Sequence, residues 1–585
     1  MSEFRQLDRA RTADLARENT DYYAGFQARV ALGLNVESTD AQIKIVAHKA
    51  SALCYSYGVT VAPIFDNVTD LRGALARYVT EQGITAPPET ISDAGACMRM
   101  LDTAWWRRRL RVMLGRTVEQ QQIAAGRVHC RGQIYASNVT VSRRQEQRER
   151  NRKILESLTA ENQDGYSATL AALSEKGVSC SRLRRLELMT RVRGFEDYAK
   201  ERGDVGEFWT LTAPSRFHST HKKTGEKNLR YDGSTPKQAQ AHLARCWSRF
   251  RAALHRLKIN VYGFRVVEPH HDGCPHWHAL LFMAPDVVKT VRALARLYFL
   301  DQHDPDEPGA KKNRCKFVTI DKRGASGYIA KYIAKNIDGH LGGSDKDGNA
   351  IQGDGLFGHT DKHGTPAEKA AIRIESWARR WGIRQFQQIG GAAVGVWREL
   401  RRLKPAEQDK PMPAALERAR QATGDKATGK KADFAEYLRA MAAAPVILRK
   451  TDAGIKWNGE EGVPALTRYE EPVAPTVFGL ACADFACVTR KSTWTIKPAS
   501  RASAHVPARD FAPGEYDFDL GFDVAVGPLA PWTCVNNCTE AIEDGNKSQH
   551  FARRGGPGCP PEIPKSHGGA HGAGHGAGGG PGKPG

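Results

Sequence analysis

The strongest constraint on the fold lies between Phe208 and Asn336, where short runs rich in β-branched and aromatic residues alternate with helical stretches. Phe208-Trp209-Thr210-Leu211-Thr212 is the first strand candidate. Thr235-Pro236-Lys237-Gln238 is a capping box with proline at the first helical position, and it opens a helix that turns Ala239, Leu243, Trp247, Phe250, Leu254 and Leu257 inward. Two strands follow, Val261 to Glu268 and His276 to Met283. Pro285-Asp286 starts a helix through Val291, Leu294 and Leu297, Phe317-Val318-Thr319-Ile320 is a fourth strand, and a helix from about Ala325 to Asn336 closes the run. The order β-α-β-β-α-β predicts an α+β fold of the split βαβ, ferredoxin-like kind, an antiparallel sheet with flanking helices.

Within that frame His276-Trp277-His278 sits in an apolar run, and the period-two geometry of a strand points both imidazoles to one face. A symmetric hairpin across Pro269 to Pro275 sets Glu268 opposite His276 and Val266 opposite His278. Cross-strand neighbours have Cβ atoms about 4.5–5.5 Å apart, so Glu268 can complete a two-histidine, one-carboxylate set. Such a set leaves positions open for water and a phosphate oxygen on a divalent cation. His270, His271 and Asp272 in the loop are rival third ligands, and a strand with two hydrogen-bonded structural histidines is the plain alternative.

Further on, Tyr328, Lys331, Tyr332 and Lys335 fall on one helical stripe, with Ile329, Ile333 and Ile337 on another. Two phenols interleaved with two ammonium groups suit nucleophilic attack on a phosphate, the lysines drawing the anion and a tyrosine oxygen forming the phosphoester. An amphipathic helix with tyrosines at its border is the competing reading of this stripe alone.

The rest of the 585-residue chain carries Lys+Arg 86 against Asp+Glu 65, a net +21 that suits a polyanionic partner. Its opening residues lack the apolar core of a signal peptide, and no window of ~18 uncharged apolar residues would span a membrane. A soluble nucleic-acid binder in a reducing cytoplasm is therefore expected, its 12 cysteines mostly unpaired. Residues 66–114 have helical periodicity, with Trp105-Trp106 read as core beside solvated arginines. Arg143, Arg144, Arg148, Arg150, Arg152 and Lys153 are either phosphate contacts or a solvated face. Ser181 is expected to cap a helix with Leu183, Leu186, Met189, Val192 and Phe195 inside and Arg191 among the outer arginines, and Thr365-Pro366-Ala367-Glu368 to be a second capping box. Cys482 with Cys487 and Cys534 with Cys538 have imperfect spacings for zinc.

Phe208 to Thr212 followed by Ala213-Pro214-Ser215-Arg216-Phe217-His218, then Pro275-His276-Trp277-His278, then Tyr328-x-x-x-Tyr332, resembles the three ordered motifs of HUH rolling-circle replication initiators, and more closely the bacteriophage replication gene A endonucleases. The resemblance extends to Trp381-Gly382-Ile383-Arg384-Gln385-Phe386, to Trp397 through Arg402, and upstream to Trp105-Trp106 and Arg191 through Glu196. It covers roughly residues 60 to 405.

It implies a site-specific single-strand nick in origin DNA, the 5′ end held on tyrosine and the 3′ hydroxyl left to prime synthesis. Tyr328 and Tyr332 are then the nucleophiles assisted by Lys331 and Lys335, His276 and His278 are metal ligands with Glu268 as third, and the cation is Mg²⁺ or Mn²⁺. Single-stranded and origin DNA, and a host replicative helicase and polymerase, are the implied partners in the bacterial cytoplasm. A non-catalytic DNA-binding replication accessory protein and a paired-tyrosine transposase are the alternatives. A conjugative relaxase is disfavoured because its tyrosine precedes the histidines, and a zinc peptidase because no His-Glu-x-x-His helix is present.

The expected organisation is a helical amino-terminal region over 1–125, a basic helical region over 126–204, the HUH nuclease over 205–405 and a linker with a surface helix over 406–448. A carboxy-terminal region of no assigned role over 449–554 and a Gly/Pro/His-rich disordered tail over 555–585 complete it.

Overall fold

The computed structural model describes residues 32–35, 37–300, 309–320, 324, 329, 332, 333, 335–337, 365–408, 410–425, 428–457 and 462–499. Tyr328, Lys331, Cys534, Cys538 and the 555–585 tail lie outside the described residues. The architecture mixes helix with antiparallel sheet, behind a helical amino-terminal region. No helix among the described residues is long and apolar enough to cross a membrane.

Five strands build the central sheet: β1 Val205–Thr212, β2 Tyr262–Pro269, β3 Pro275–Met283, β4 Cys315–Thr319 and β5 Phe386–Ile389. Their spatial order is β4-β1-β3-β2-β5, and every pairing is antiparallel. Strand alternation gives the sheet two apolar faces. One presents Trp209, Leu211, Val267, Trp277, Ala279 and Leu281 to the helices Pro236–Arg256, Val288–Phe299 and Ala367–Trp381. The other presents Phe264, Val266, Leu280 and Phe282 to the helix Ser181–Arg202 and to Ile329, Ile333 and Ile337.

The Thr235 capping box forms as read, with the Thr235 hydroxyl accepting from the Gln238 backbone and the Gln238 side chain reaching back. Leu257, however, lies past the last turn and is exposed. The second box does not form: Pro366 is the N-cap and the helix starts at Ala367, so Glu368 falls one position short of the place that closes a box. Pro285–Val287 is a short 3-10 turn, and the helix proper is Val288–Phe299.

The Ser181–Arg202 helix also departs from its reading. Cys180 is the N-cap without a side-chain bond, and the buried stripe is Leu188, Val192, Phe195 and Ala199. Leu186, two residues and about 200° around from Leu188, is exposed. Arg191 is buried, not outside: it bonds Glu187 at 3.2 Å and the Gln388 side chain at 2.9 Å.

The stretch 406–448, expected as a linker with a surface helix, holds two helices among its described residues. The helices Ala414–Ala422 and Phe434–Ala443 bury Leu416, Ala419, Ala422, Phe434, Tyr437 and Leu438 in the same core as the sheet. The small alanines hid this face from a hydrophobicity reading, while they permit close helix approach. A Cβ on Gly194 would lie 2.5 Å from the Phe434 Cβ and 2.8 Å from the Ala435 nitrogen. Gly194→Ala is therefore expected to destabilise the protein by about 1–3 kcal/mol, because overpacking outweighs the ~1 kcal/mol of helix propensity that alanine brings. Chemical denaturation of the variant checks the sign; a stabilised variant would show that the two helices separate freely.

The amino-terminal helices bury Trp105 and Trp106 against Leu75, Val79, Met100 and Leu110, which settles these indoles as core. Arg144 pairs with Glu375 at 2.7 Å, and Arg150 and Arg152 pair with acids on their own helix. Part of the basic run is thus paired within the chain. Residues of the 449–499 stretch return to this half. Leu158–Asn162 pairs with Trp494–Pro498, and Arg99 meets Glu471 at 2.5 Å.

Candidate active site

The β2–β3 hairpin has the symmetric register, Glu268 opposite His276 and Val266 opposite His278. Glu268, His276 and His278 consequently share the sheet face that carries Ile329, Ile333 and Ile337, and all three are buried. The two Nε2 atoms are 2.9 Å apart, His278 Nε2 is 3.9 Å from Glu268 Oε2, and the three ligand atoms all lie within 4.8 Å of one another. Ligands about 2.0–2.2 Å from one cation are separated by about 3–3.5 Å at tetrahedral or octahedral angles, so the cluster fits a divalent ion with little adjustment. Two imidazoles with one carboxylate form a donor set suited to such a cation.

The rival ligand Asp272 is committed elsewhere. Its Oδ2 meets His218 Nδ1 at 3.0 Å and accepts from the Ser219 backbone at 3.1 Å, and its Oδ1 accepts from the Cys274 backbone. Burial alone would raise the Asp272 pKa, but the His218 charge and hydrogen bond hold it well below the usual carboxylate range. Burial likewise opposes the charge on His218, and the neighbouring Cys274 and Asp272 outweigh it and raise its pKa well above normal. The pair ties the segment after β1 to the β2–β3 hairpin. Its sign follows from both directions: the His218 contribution is full below about pH 6.5 and is lost as pH rises through the raised value, and the Asp272 contribution is full above about pH 3.9 and is lost in acid. Asp272→Asn is expected to cost about 3 kcal/mol at neutral pH by stranding the buried imidazolium. A pH series of melting curves measures it, and wild type and variant converging only at neutral pH would reject the pair.

The tyrosine-bearing helix is described at residues 329, 332, 333 and 335–337. Its isoleucines anchor it in the core, and the Tyr332 ring lies 4.1 Å from that of His278 and stacks on Phe208 at 5.3 Å. Phe208 also stacks on His278, so one aromatic side chain on β1 orients both groups. Burial, with a further push from the Glu268 charge, raises the Tyr332 hydroxyl to about 12. Lys335 does not project freely beside the tyrosine. Its Nζ is 3.4 Å from Glu268 Oε2 and 4.9 Å from the centre of the Tyr135 ring.

Asn336, Gln385 and Tyr135 escaped the sequence reading. The Asn336 amide donates to Glu268 Oε1 and to the Tyr332 carbonyl, and Gln385 donates to Asn336 Oδ1 at 2.9 Å. Only the Tyr332–Asn336 spacing of four, one turn along the same helix, hinted at the first of these. Tyr135 holds a left-handed backbone, φ +70°, and its amide donates to the His271 carbonyl.

The chain has counterparts among known sequences. Residues 41–340 match the bacteriophage replication gene A protein (GPA) family. The chain is 36% identical over 460 residues to the replication gene A protein of Escherichia phage 186, covering 77% of this chain and 60% of that protein. It is 32% identical to the "Probable replication protein P12" of Pseudoalteromonas phage PM2, covering 86% of this chain and 72% of that one. A "Probable replication endonuclease from prophage-like region 1" of Salmonella typhi is 31% identical, over 78% of this chain and 53% of its own length. No solved structure matches. The chain belongs to the bacteriophage replication gene A protein family. It spans little more than half the length of two of these three relatives.

Proposed function

We propose that this chain is a metal-dependent HUH tyrosine endonuclease that nicks one strand of a phage replication origin and starts rolling-circle DNA replication. The observation that carries the reading is the Tyr332 ring 4.1 Å from His278 within the Glu268–His276–His278 cluster. The strand order β4-β1-β3-β2, with β5 added at the β2 edge, supports a ferredoxin-like HUH domain. The relative named as a replication endonuclease supports the nuclease class.

Glu268, His276 and His278 would hold Mg²⁺ or Mn²⁺, which supplies Lewis-acid polarisation of a phosphodiester. The phenol oxygen of Tyr332, or of Tyr328, attacks phosphorus, the P–O3′ bond breaks, and the departing 3′ oxygen takes up a proton. The product is a 5′-phosphotyrosine and a free 3′ hydroxyl. The reverse attack of a 3′ hydroxyl on the phosphotyrosine rejoins the strand and frees the phenol, without an external energy source. Because Tyr332 is raised to about 12, its phenol is protonated at neutral pH and must lose that proton as it attacks. Lys335 becomes a phosphate-facing cation only when its contact with Glu268 gives way. A paired tyrosine allows a second cut while the first still holds the old end.

Origin DNA, a host helicase and polymerase, and the bacterial cytoplasm are the setting this reading implies. A labelled single-stranded oligonucleotide set tiled from the chain's own phage or element genome, incubated with Mg²⁺ or Mn²⁺, tests it on a denaturing gel. A covalent adduct is expected. DNA binding without an adduct on any segment would assign the chain to a non-catalytic accessory role.

A further inference from the structure

Three arginines among the described residues are almost fully buried, Arg191, Arg265 and Arg314, at 6%, 4% and 2% exposure. Arg191 has Glu187 and Gln388 as acceptors, and Arg314 donates to the carbonyls of Phe299 and Leu300. Arg265 differs. Among the described residues its guanidinium donates to no carbonyl, carboxylate or hydroxyl, and its Nε, like that of Arg314, is buried without an acceptor. The contact it does make is with an aromatic face, its guanidinium carbon lying 3.9 Å from the centre of the Trp277 ring.

Its electrostatic surroundings add to the anomaly. Burial, then the like charge of Arg384, push the Arg265 pKa down to about 9. A buried cation is costly without a counter-charge or acceptors, and Arg191 and Arg314 each have acceptors where Arg265 has none among the described residues. The register explains where the charge is aimed. Arg265 pairs with Gln387 on β5, so both side chains lie on the face opposite Glu268 and His278. β5 is the edge strand, and Arg384, which immediately precedes it by two residues, is exposed. Two cations and an amide thus lie together towards the β5 edge of the sheet, with Arg384 the exposed member. A planar guanidinium fork is the side chain best shaped to grip a tetrahedral oxyanion with two parallel hydrogen bonds.

We propose that Arg265, with Gln387 and Arg384, forms a phosphate-binding site on the sheet face opposite the histidine pair, and that it takes a backbone phosphate of nucleic acid. The assignment of a phosphate rests on a guanidinium without an acceptor among the described residues; its assignment to nucleic acid rests on the DNA-processing reading above. The site would add one phosphate contact to those at the cleaving face, holding the substrate without reading its bases.

The test uses the full chain in EDTA, so that cleavage plays no part. Variants are Arg265→Met, neutral and of similar reach, and Arg384→Gln, exposed and harmless to the core. Inorganic phosphate is expected to raise the melting temperature of the wild type by about 2 °C or more and to leave Arg265→Met unmoved. Binding of single-stranded and duplex oligonucleotides is expected to weaken about tenfold in Arg265→Met, with the slope of log affinity against log salt reduced by about one. In phosphate-free buffer Arg265→Met should melt no lower than the wild type, since a stranded charge has been removed. A phosphate-dependent shift with an unchanged salt slope supports the site and makes its occupant a free phosphate or nucleotide. Neither a shift nor a slope change overturns the proposal. If Arg265→Met does not fold, Arg384→Gln decides: an unchanged phosphate shift together with an unchanged slope overturns it. Failure of the adduct assay would not touch these readouts, because none requires cleavage.

Discussion

The Tyr328→Phe/Tyr332→Phe double variant is expected to give no DNA adduct, a fall of more than about 1000-fold, while still binding the same oligonucleotides. Each substitution deletes one oxygen and keeps the ring, so the stacking of Tyr332 between Phe208 and His278 survives and the fold is not at issue. Loss of the adduct then reports loss of the nucleophile alone. The Tyr332→Phe single variant separates the two phenols: with a substrate that allows one turnover, a retained adduct assigns the first cut to Tyr328 and a lost one assigns it to Tyr332. His276→Ala in the same assay removes a proposed metal ligand and not a nucleophile, and is expected to abolish the adduct as well. An adduct that persists in the double variant would sink the tyrosine mechanism.

Asn336→Ala is expected to weaken Mn²⁺ binding by about 10–100-fold, although Asn336 touches no cation in the proposed site. Glu268 carries the effect, because its Oε1 accepts the Asn336 amide and its Oε2 faces His278 and Lys335. With the amide gone, the carboxylate is free to turn fully toward the Lys335 ammonium, and the third ligand is misplaced. Titration of Mn²⁺ followed by paramagnetic resonance measures the affinity without requiring cleavage. Gln385→Ala should show a smaller loss in the same direction, because Gln385 fixes the Asn336 side chain and not the carboxylate. Equal Mn²⁺ affinity in wild type and Asn336→Ala would show that Glu268 is oriented by the strand backbone alone.

The hairpin was legible because its arithmetic is short: the loop is symmetric, strand alternation has period two, and both facts together dictate that Glu268 meets His276. The second capping box was misread for an equally local reason, since Thr365-Pro366-Ala367-Glu368 satisfies the pattern and the helix simply begins one residue late. Long-range partners were not legible. Nothing near Arg191 in the sequence announces Gln388, and nothing near Lys335 announces Tyr135. The paired arginines after Asn138 teach the same lesson about charge, because Glu375, which neutralises Arg144, is 231 residues away. Alanine-lined helices at 414–422 and 434–443 looked like spacer because burial by close approach leaves almost no hydrophobic signature.

The pairing of Leu158–Asn162 with Trp494–Pro498 has a consequence in time. Gln163, beside the first strand, bonds the backbone of Thr493 across 330 residues of chain. At a synthesis rate of about 5–20 residues per second, the first strand waits roughly 20–60 s on the ribosome before its partner exists. Throughout that interval it has only the short Ser167–Thr169 strand beside it, and one edge stays open to any other extended chain. β5, the last strand of the five-stranded sheet, leaves the ribosome well before Trp494–Pro498, so the edge beside Leu158–Asn162 is among the last of the described strand pairings that can form.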